Sequence, residues 1–290
     1  LYLDGMRDNA QYNRDTFNIE QVEALRGASS MLFGRGSTGG VINQVSKEPE
    51  LGKTSNVAFT AGSHSLFRET LDVNQEIGAS SAARINVMKT DSESHRNIVS
   101  HDSFGIAPSF KWGIDTNDEF LLAYTHLEYD DVPDFGVPIR NTEGGKPARV
   151  SYDNFYGLAS DYQKDSADTY TGRWVHKFDD VNQLKTMIRH SDVDRDLRAT
   201  GPQFDANFDT NGRINRQRQA RGASEKTTAL QSDYTSKFTA LAMKHESLLG
   251  AEYLYEEANR WSNTGSTANP STNLYNPNPH DPFNATFIHT

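Results

Sequence analysis

The chain has 290 residues, a formal net charge of −10 and no cysteine. The missing cysteines exclude a disulfide framework and a thiolate metal site, and the acidic balance, with a sequence pI near 5.4, argues against a nucleic-acid binder. No apolar run reaches the length of a membrane helix. A mean hydropathy of −0.72 would suit a soluble chain, yet strands that are apolar on one face only give the same value.

Residues 1–50 are Gly-rich, with short apolar runs at 21–25, 30–33 and 41–45. No initiator Met or leader precedes Leu1, and 287–290 break off within a strand-like run, so the chain is expected to be an internal piece of a longer protein. From about residue 55 the apolar period is two: Phe104, Ile106, Phe110 and Trp112 alternate with small or polar residues. Tyr170, Trp174 and Phe178 do the same, as do Leu230, Tyr234 and Phe238, and then Leu249, Ala251, Tyr253 and Tyr255. The pattern predicts strands at 54–62, 66–76, 82–91, 102–112, 118–128, 168–178, 182–193, 226–240 and 243–256, with the start of a tenth at the end. About ten residues is the length a tilted strand needs to cross a bilayer, whereas globular strands run nearer five or six.

The predicted links are short at 77–81, 113–117, 179–181 and 241–242 and long at 129–167, 194–225 and 257–283; 92–101 is intermediate and 63–65 a short first link on the long side. Sorting of link lengths by end is the pattern of an outer-membrane barrel, with tight periplasmic turns and large external loops. A large secreted all-β domain is the competing reading, but it has no reason to sort its loops.

Several motifs lead nowhere. Gly34-Arg35-Gly36-Ser37-Thr38-Gly39 has the spacing of a dinucleotide fingerprint, but Gly40 and a strand-like run follow where a helix is needed. Gly34, Gly36, Gly39 and Gly40 are better read as turn residues. His95 and His101 have no zinc-site spacing, and no nucleophile elbow or zincin motif exists. Asp130-Asp131 and Asp179-Asp180 read as solvated loop or turn carboxylates. Arg213, Arg216, Arg218 and Arg221, with Lys226 beyond, fall in a predicted long loop. A solvated, mobile loop is the plainer reading; an external catcher of anions or lipopolysaccharide phosphates is the sharper one. In the first segment Arg7, Gln11, Tyr12 and Arg14 cluster between apolar runs, offering guanidinium charge and stacking faces to an anionic aromatic ligand. An ordinary polar connector has the same composition.

Residues 19–49 decide between these readings. Val22, Glu23, Leu25, Arg26 and Gly27, then Gly34, Gly39, Gly40, Ile42, Asn43, Val45, Ser46 and Lys47, closely resemble the C-terminal plug region of TonB-dependent siderophore receptors. Ala28 departs where that family has Pro. Asp4-Gly5-Met6-Arg7-Asp8, Tyr12 and Arg14-Asp15-Thr16 resemble the catecholate-type subgroup, as do Phe135-Gly136-Val137-Pro138 and Phe155-Tyr156-Gly157.

The resemblance implies an all-β transmembrane barrel of about 22 antiparallel strands with a small α+β plug domain, truncated here. Residues 1–50 would be the end of the plug and 51–290 the first nine to ten barrel strands. Arg7, Gln11, Tyr12 and Arg14 would form the plug apex facing the ligand, and Phe135, Tyr152, Phe155 and Tyr156 are candidate external-loop contacts. Glu23 and Arg26 would pair with the barrel wall. The implied function is TonB-dependent import of a ferric siderophore, with no catalysis, no protein metal site and no cofactor, since the siderophore holds the iron. The implied partners are the ferric siderophore, the TonB protein, and an outer membrane with its lipopolysaccharide; nucleic acid is not expected, and the receptor is expected to be a monomer. The rivals are another TonB-dependent cargo (cobalamin, another metal chelate, a glycan), a passive porin or phage and bacteriocin docking barrel, and a soluble β-rich enzyme.

Overall fold

The computed structural model describes residues 1–8, 12–27, 39–140, 146–203, 212–264, 270–282 and 288–289. Two sheets organise them. The smaller, in the order β2-β1-β4-β3, comprises β1 (Tyr2–Leu3), β2 (Met6–Arg7), β3 (Ile19–Arg26) and β4 (Gly40–Ser46). Asp4 and Gly5, both at positive φ, form a two-residue hairpin turn between β1 and β2, the geometry for which Asp-Gly is suited. Buried Asn43 braces it: its Oδ1 accepts from the Gly5 N–H at 3.0 Å and its Nδ2 donates to Glu23 at 2.9 Å. Gly40 is obligatory, because at φ 137° a Cβ would sit 2.5 Å from the Leu25 carbonyl. No helix occurs among the described residues, so the α part expected of the plug is not represented in them.

The larger sheet is an antiparallel meander. Its strands are β5 (Lys53–Ala61), β6 (Phe67–Gly78), β7 (Ser81–Glu93), β8 (Ser100–Trp112), β9 (Asp118–Asp131), β12 (Tyr162–Lys177), β13 (Asn182–Gln203), β14 (Arg213–Ala240) and β15 (Met243–Thr264). A short β17 (Ile288–His289) pairs with β15, the start of the tenth strand. Three further pieces lie in the long connections: β10 (Ile139–Arg140), β11 (Lys146–Pro147) and β16 (Thr272–Asn273). Tight turns at 79–80, 113–117, 178–181 and 241–242 occupy one end, and the long connections the other. Asp179 anchors its turn as expected, accepting from the Val181 and Asn182 N–H groups.

Alternation sorts the two faces. Away from the small sheet, Phe110, Trp112, Phe120, Leu122, Tyr170, Trp174 and Ile188 form an apolar, aromatic band. At its tight-turn side the Trp112, Phe120 and Trp174 rings follow one another at 5.0 and 6.3 Å. The opposite face packs on the small sheet. Phe17 sits among Met88, Ala107, Leu127 and Tyr129, and Met6 lies against Met187 and Ala229. Gly105 makes room for Phe17: a Cβ there would stand 2.8 Å from the ring.

Strand ends differ from the sequence reading in one direction. The predicted long loop at 194–225 is mostly strand, because β13 runs to Gln203 and β14 begins at Arg213, paired without a register break. The Arg213–Arg221 cluster therefore lies on β14, not in a mobile loop. Asp130 and Asp131 end β9 rather than sitting in a loop; Asp130 meets Lys164 at 2.9 Å and Asp131 meets His101 at 2.6 Å. His101 is the second residue of β8, not a loop partner of His95.

Candidate functional site

Arg7, Asp8 and residues 12–15 reach the long-loop end of the sheet's inner face. Asp15 fixes that height through a two-pronged contact with Arg68, near the start of β6, at 2.7 and 2.9 Å. Beside it, Asp8 is nearly buried and accepts from Arg14 Nη2 at 2.8 Å, Arg14 Nε at 3.2 Å and the Tyr12 hydroxyl at 3.0 Å. The Arg14 guanidinium also lies 4.0 Å over the Tyr12 ring. Burial, reinforced by the Asp8 charge, pushes the Tyr12 phenol up, so it stays a neutral donor. Arg7 is held more loosely. It is half exposed and stands 3.9 Å from an equally exposed Glu256 on β15, a pairing worth about 1 kcal/mol at most.

Lower down, the small sheet is tied to the strands by charge. Asp4 meets Arg189 of β13 at 3.0 Å, and Arg189 also donates to the Leu3 carbonyl at 2.7 Å. Lys47 meets Asp72 of β6 at 3.0 Å, and Arg84 of β7 donates to the Glu48 carbonyl. At the tight-turn end Glu48 accepts from both guanidinium nitrogens of Arg173, Nη2 at 2.7 Å, and from Lys111 at 3.3 Å. Glu119 completes this set, 3.1 Å from Lys111 and 3.3 Å from Arg173. Burial alone would raise the Glu48 carboxyl, but the Arg173 and Lys111 contacts outweigh it and hold the group below its usual range.

Between these ties runs a looser seam. Two small voids of about 40 Å³ each share Leu3, Asn18, Thr125 and Thr169. One reaches Tyr12 and Arg14 above; the other reaches Lys47 and Glu48 below. Where the two voids meet, the wall offers Thr125 and Thr169, and Asn18 donates only a long hydrogen bond to the Thr125 hydroxyl, at 3.4 Å.

The long connections pack into a body of their own. Tyr156, Ala148, Ile214 and Leu274 form its core, and the Tyr156 hydroxyl donates to the Leu274 carbonyl at 2.7 Å. Arg216 is the brace: its side chain is fully buried, donates to the carbonyls of Tyr156, Gly157 and Asn278, and meets Asp281 at 2.7 Å. Asp161 is buried beside it and accepts from the Leu158 N–H and from the N–H and hydroxyl of Thr200. Burial raises its carboxyl, and those hydrogen bonds pull it part of the way back. Arg96 ties the 94–99 link on, through the Asn154 carbonyl and Asp134.

The TonB-dependent Receptor Plug Domain family matches residues 1–41. The catecholate siderophore receptor Fiu of Escherichia coli O157:H7 is 32% identical over 299 residues, covering 96% of this chain and 39% of its own length. The chain belongs to the TonB-dependent receptor family. The solved open form of the ferric-catecholate import receptor Fiu from E. coli K12 superposes with a TM-score of 0.90 at 31% identity, over 99% of this chain and 46% of that one. The siderophore receptor PiuA from Acinetobacter baumannii gives 0.91 at 28% identity, over 99% and 44%. This piece of a TonB-dependent receptor thus spans less than half of each. The plug match takes in β1 to β3 and the first two residues of β4, and the meander is part of an outer-membrane barrel.

Within that receptor, the residues singled out from sequence divide. Arg7 is accessible; Tyr12 and Arg14 are committed to Asp8; Gln11, Gly34 and Gly36 lie outside the described residues. Tyr152 at 73% and Phe135 at 47% are exposed, whereas Phe155 at 2% and Tyr156 at 1% are buried and support the loop body rather than line its surface. Glu23 bonds Gln21 and Asn43 within the plug, and among the described residues neither it nor Arg26 pairs with the wall. The wall contacts come instead from Asp4, Asp15, Lys47 and Glu48, to which the sequence reading gave no such role. The Lys47-Glu48 pair just after the last plug strand was the one available signal.

Proposed function

We propose that the full receptor binds a ferric catecholate siderophore at the external side and imports it by TonB-dependent, energy-coupled rearrangement of the plug, without catalysis. The observation that carries this reading is the continuous similarity, through plug and strands alike, to a receptor named for catecholate siderophores. The apex chemistry agrees with it. A ferric catecholate is a polyanion with an aromatic shell, and Arg7 presents an exposed guanidinium that only a weak surface pair holds. Beside it, Tyr12 and Arg14 both donate to Asp8, the residue that follows Arg7. The siderophore holds the iron as cargo, and the polypeptide supplies no ligand to it.

Tight capture slows release, and the ties from Glu48, Lys47, Asp4 and Asp15 to the wall are what an energy input must break. The partners are TonB, the siderophore and the lipopolysaccharide-bearing membrane, around a monomeric barrel. The test is titration of the full-length receptor in detergent with a ferric catecholate and a ferric hydroxamate. Tight binding of the catecholate alone, weakened by Arg7→Ala, is expected. Failure of both chelates to bind refutes the siderophore reading, and cobalamin or glycan uptake then takes its place.

A further inference from the structure

The membrane face of the barrel is not uniformly filled. In one register row it carries Phe110, Leu122, Gly172, Ile188 and Leu230 across five adjacent strands. Gly172 is the one position of that row without a side chain. The result is an almost wholly apolar groove of about 570 Å³, floored by Gly172 and walled by Phe110, Leu122, Tyr170 and Ile188. A Cβ at 172 would already stand 3.2 Å from Ile188, so any larger side chain there would occupy the groove.

We propose that this groove seats one acyl chain of lipopolysaccharide. Three observations select that occupant. The first is continuity with the membrane: the walls belong to the lipid-facing band, with Leu122, Tyr170 and Ile188 each more than half exposed, so hydrocarbon is what covers them. The second is polarity. Several polar groups at or near the rim already have partners: His126 and the Tyr124 hydroxyl meet Asp168, His190 meets Thr228 at 2.9 Å, and Lys226 meets Asp192 at 3.1 Å. Beyond the Tyr170 hydroxyl the groove therefore offers a peptide or a soluble ligand little to bond, and the rim carboxylates Asp168 and Asp192 are each engaged by a neighbour.

The third is depth. Along β12 the outward residues run Phe178, His176, Trp174, Gly172, Tyr170 and Asp168 from the periplasmic turn upward. Gly172 thus lies just on the long-loop side of the middle of that run, two outward positions below Asp168 and three above Phe178. That is the outer-leaflet half, where lipopolysaccharide is the lipid. A dent left unfilled in hydrocarbon forfeits dispersion contacts on every wall, which gives an ordered chain its advantage over passing lipid.

The proposal stands whatever cargo the receptor carries, and it is tested without cargo. The full-length receptor is purified from outer membranes in mild detergent, exchanged extensively, and weighed by native mass spectrometry beside Gly172→Leu and Gly172→Ala. Wild type is expected to keep one lipopolysaccharide per receptor and Gly172→Leu to keep it about fivefold less, with Gly172→Ala between. Unchanged heat resistance of the barrel on a gel shows that the variants fold; should Gly172→Leu fail there, Gly172→Ala alone carries the comparison. Equal lipopolysaccharide retention in wild type and variants overturns the proposal. So does retention of phospholipid instead, or a wild-type dimer that Gly172→Leu converts to monomer.

Discussion

Replacing Glu48 by Ala removes the carboxylate shared by the Arg173 guanidinium and the Lys111 ammonium. Both cations are poorly exposed, at 12% and 15% of their side chains, and only Glu119 would remain to compensate them, at 3.3 and 3.1 Å. Removing one member of a buried ion pair costs about 3–5 kcal/mol. Glu48 is itself partly exposed and Glu119 stays, so the expected cost lies below that range, at about 2 kcal/mol. At 1.4 kcal/mol per decade this opens the plug edge about 30 times more often. Hydrogen exchange on the full-length receptor reads it directly. The β4 amides of Glu48→Ala should exchange about 30-fold faster while those of β7 to β9 do not change, and Glu48→Gln, which keeps an acceptor, should fall between. Unchanged β4 protection in both variants refutes the reasoning. It would mean that desolvation of the three charges cancels their attraction, and that packing around Phe17 and Met6 and the ties of Asp4, Asp15 and Lys47 hold the plug without Glu48.

The same pair predicts a pH dependence. The folded Glu48 carboxyl is held below its ordinary value of 4.5, so its contribution is complete above that value and is lost as the pH falls through the lower, folded one. The stability difference between wild type and Glu48→Gln, measured by denaturant unfolding, should be flat from about pH 7 to 5 and shrink below about pH 4. Arg216→Met should loosen the external body by about 3 kcal/mol or more, because it strands Asp281 and three loop carbonyls. Limited proteolysis should then cut within 146–161, whereas Arg213→Ala, an exposed position of the same cluster, should leave the pattern unchanged. Gly105→Leu should expel Phe17 from its seat and lower plug protection as Glu48→Ala does, without affecting the barrel strands.

The extended strands show where one-dimensional reading fails and why. Inside the bilayer band one face meets lipid, so Tyr170, Trp174, Leu230 and Tyr253 announce their strands by alternation. Beyond the band neither face meets hydrocarbon, and runs such as Asp194-Arg195-Asp196 and Arg216-Gln217-Arg218 carry no apolar period. They are strands because their backbones pair in unbroken register and because loops cover them, as the body around Tyr156 covers Arg216. The identity of that cover could not be read locally: Tyr156 and Leu274 are 118 residues apart. For the same reason Phe155 and Tyr156, which read as exposed aromatic contacts, are buried.

The sequence by itself determined the class of structure. Period-two apolar faces, sorted link lengths and the 19–49 motif are local or short-range signals, and they set strand number, barrel class and family. Asp4-Gly5 likewise wrote its own hairpin, because backbone sterics act within a few residues. Only the tertiary structure decided which charges hold the plug. Glu48 and Arg173, or Asp4 and Arg189, lie more than a hundred residues apart and look like any other surface charges in the chain. Their meaning comes from the wall that the meander brings around them, since a carboxylate becomes a latch only when a buried guanidinium has no better partner.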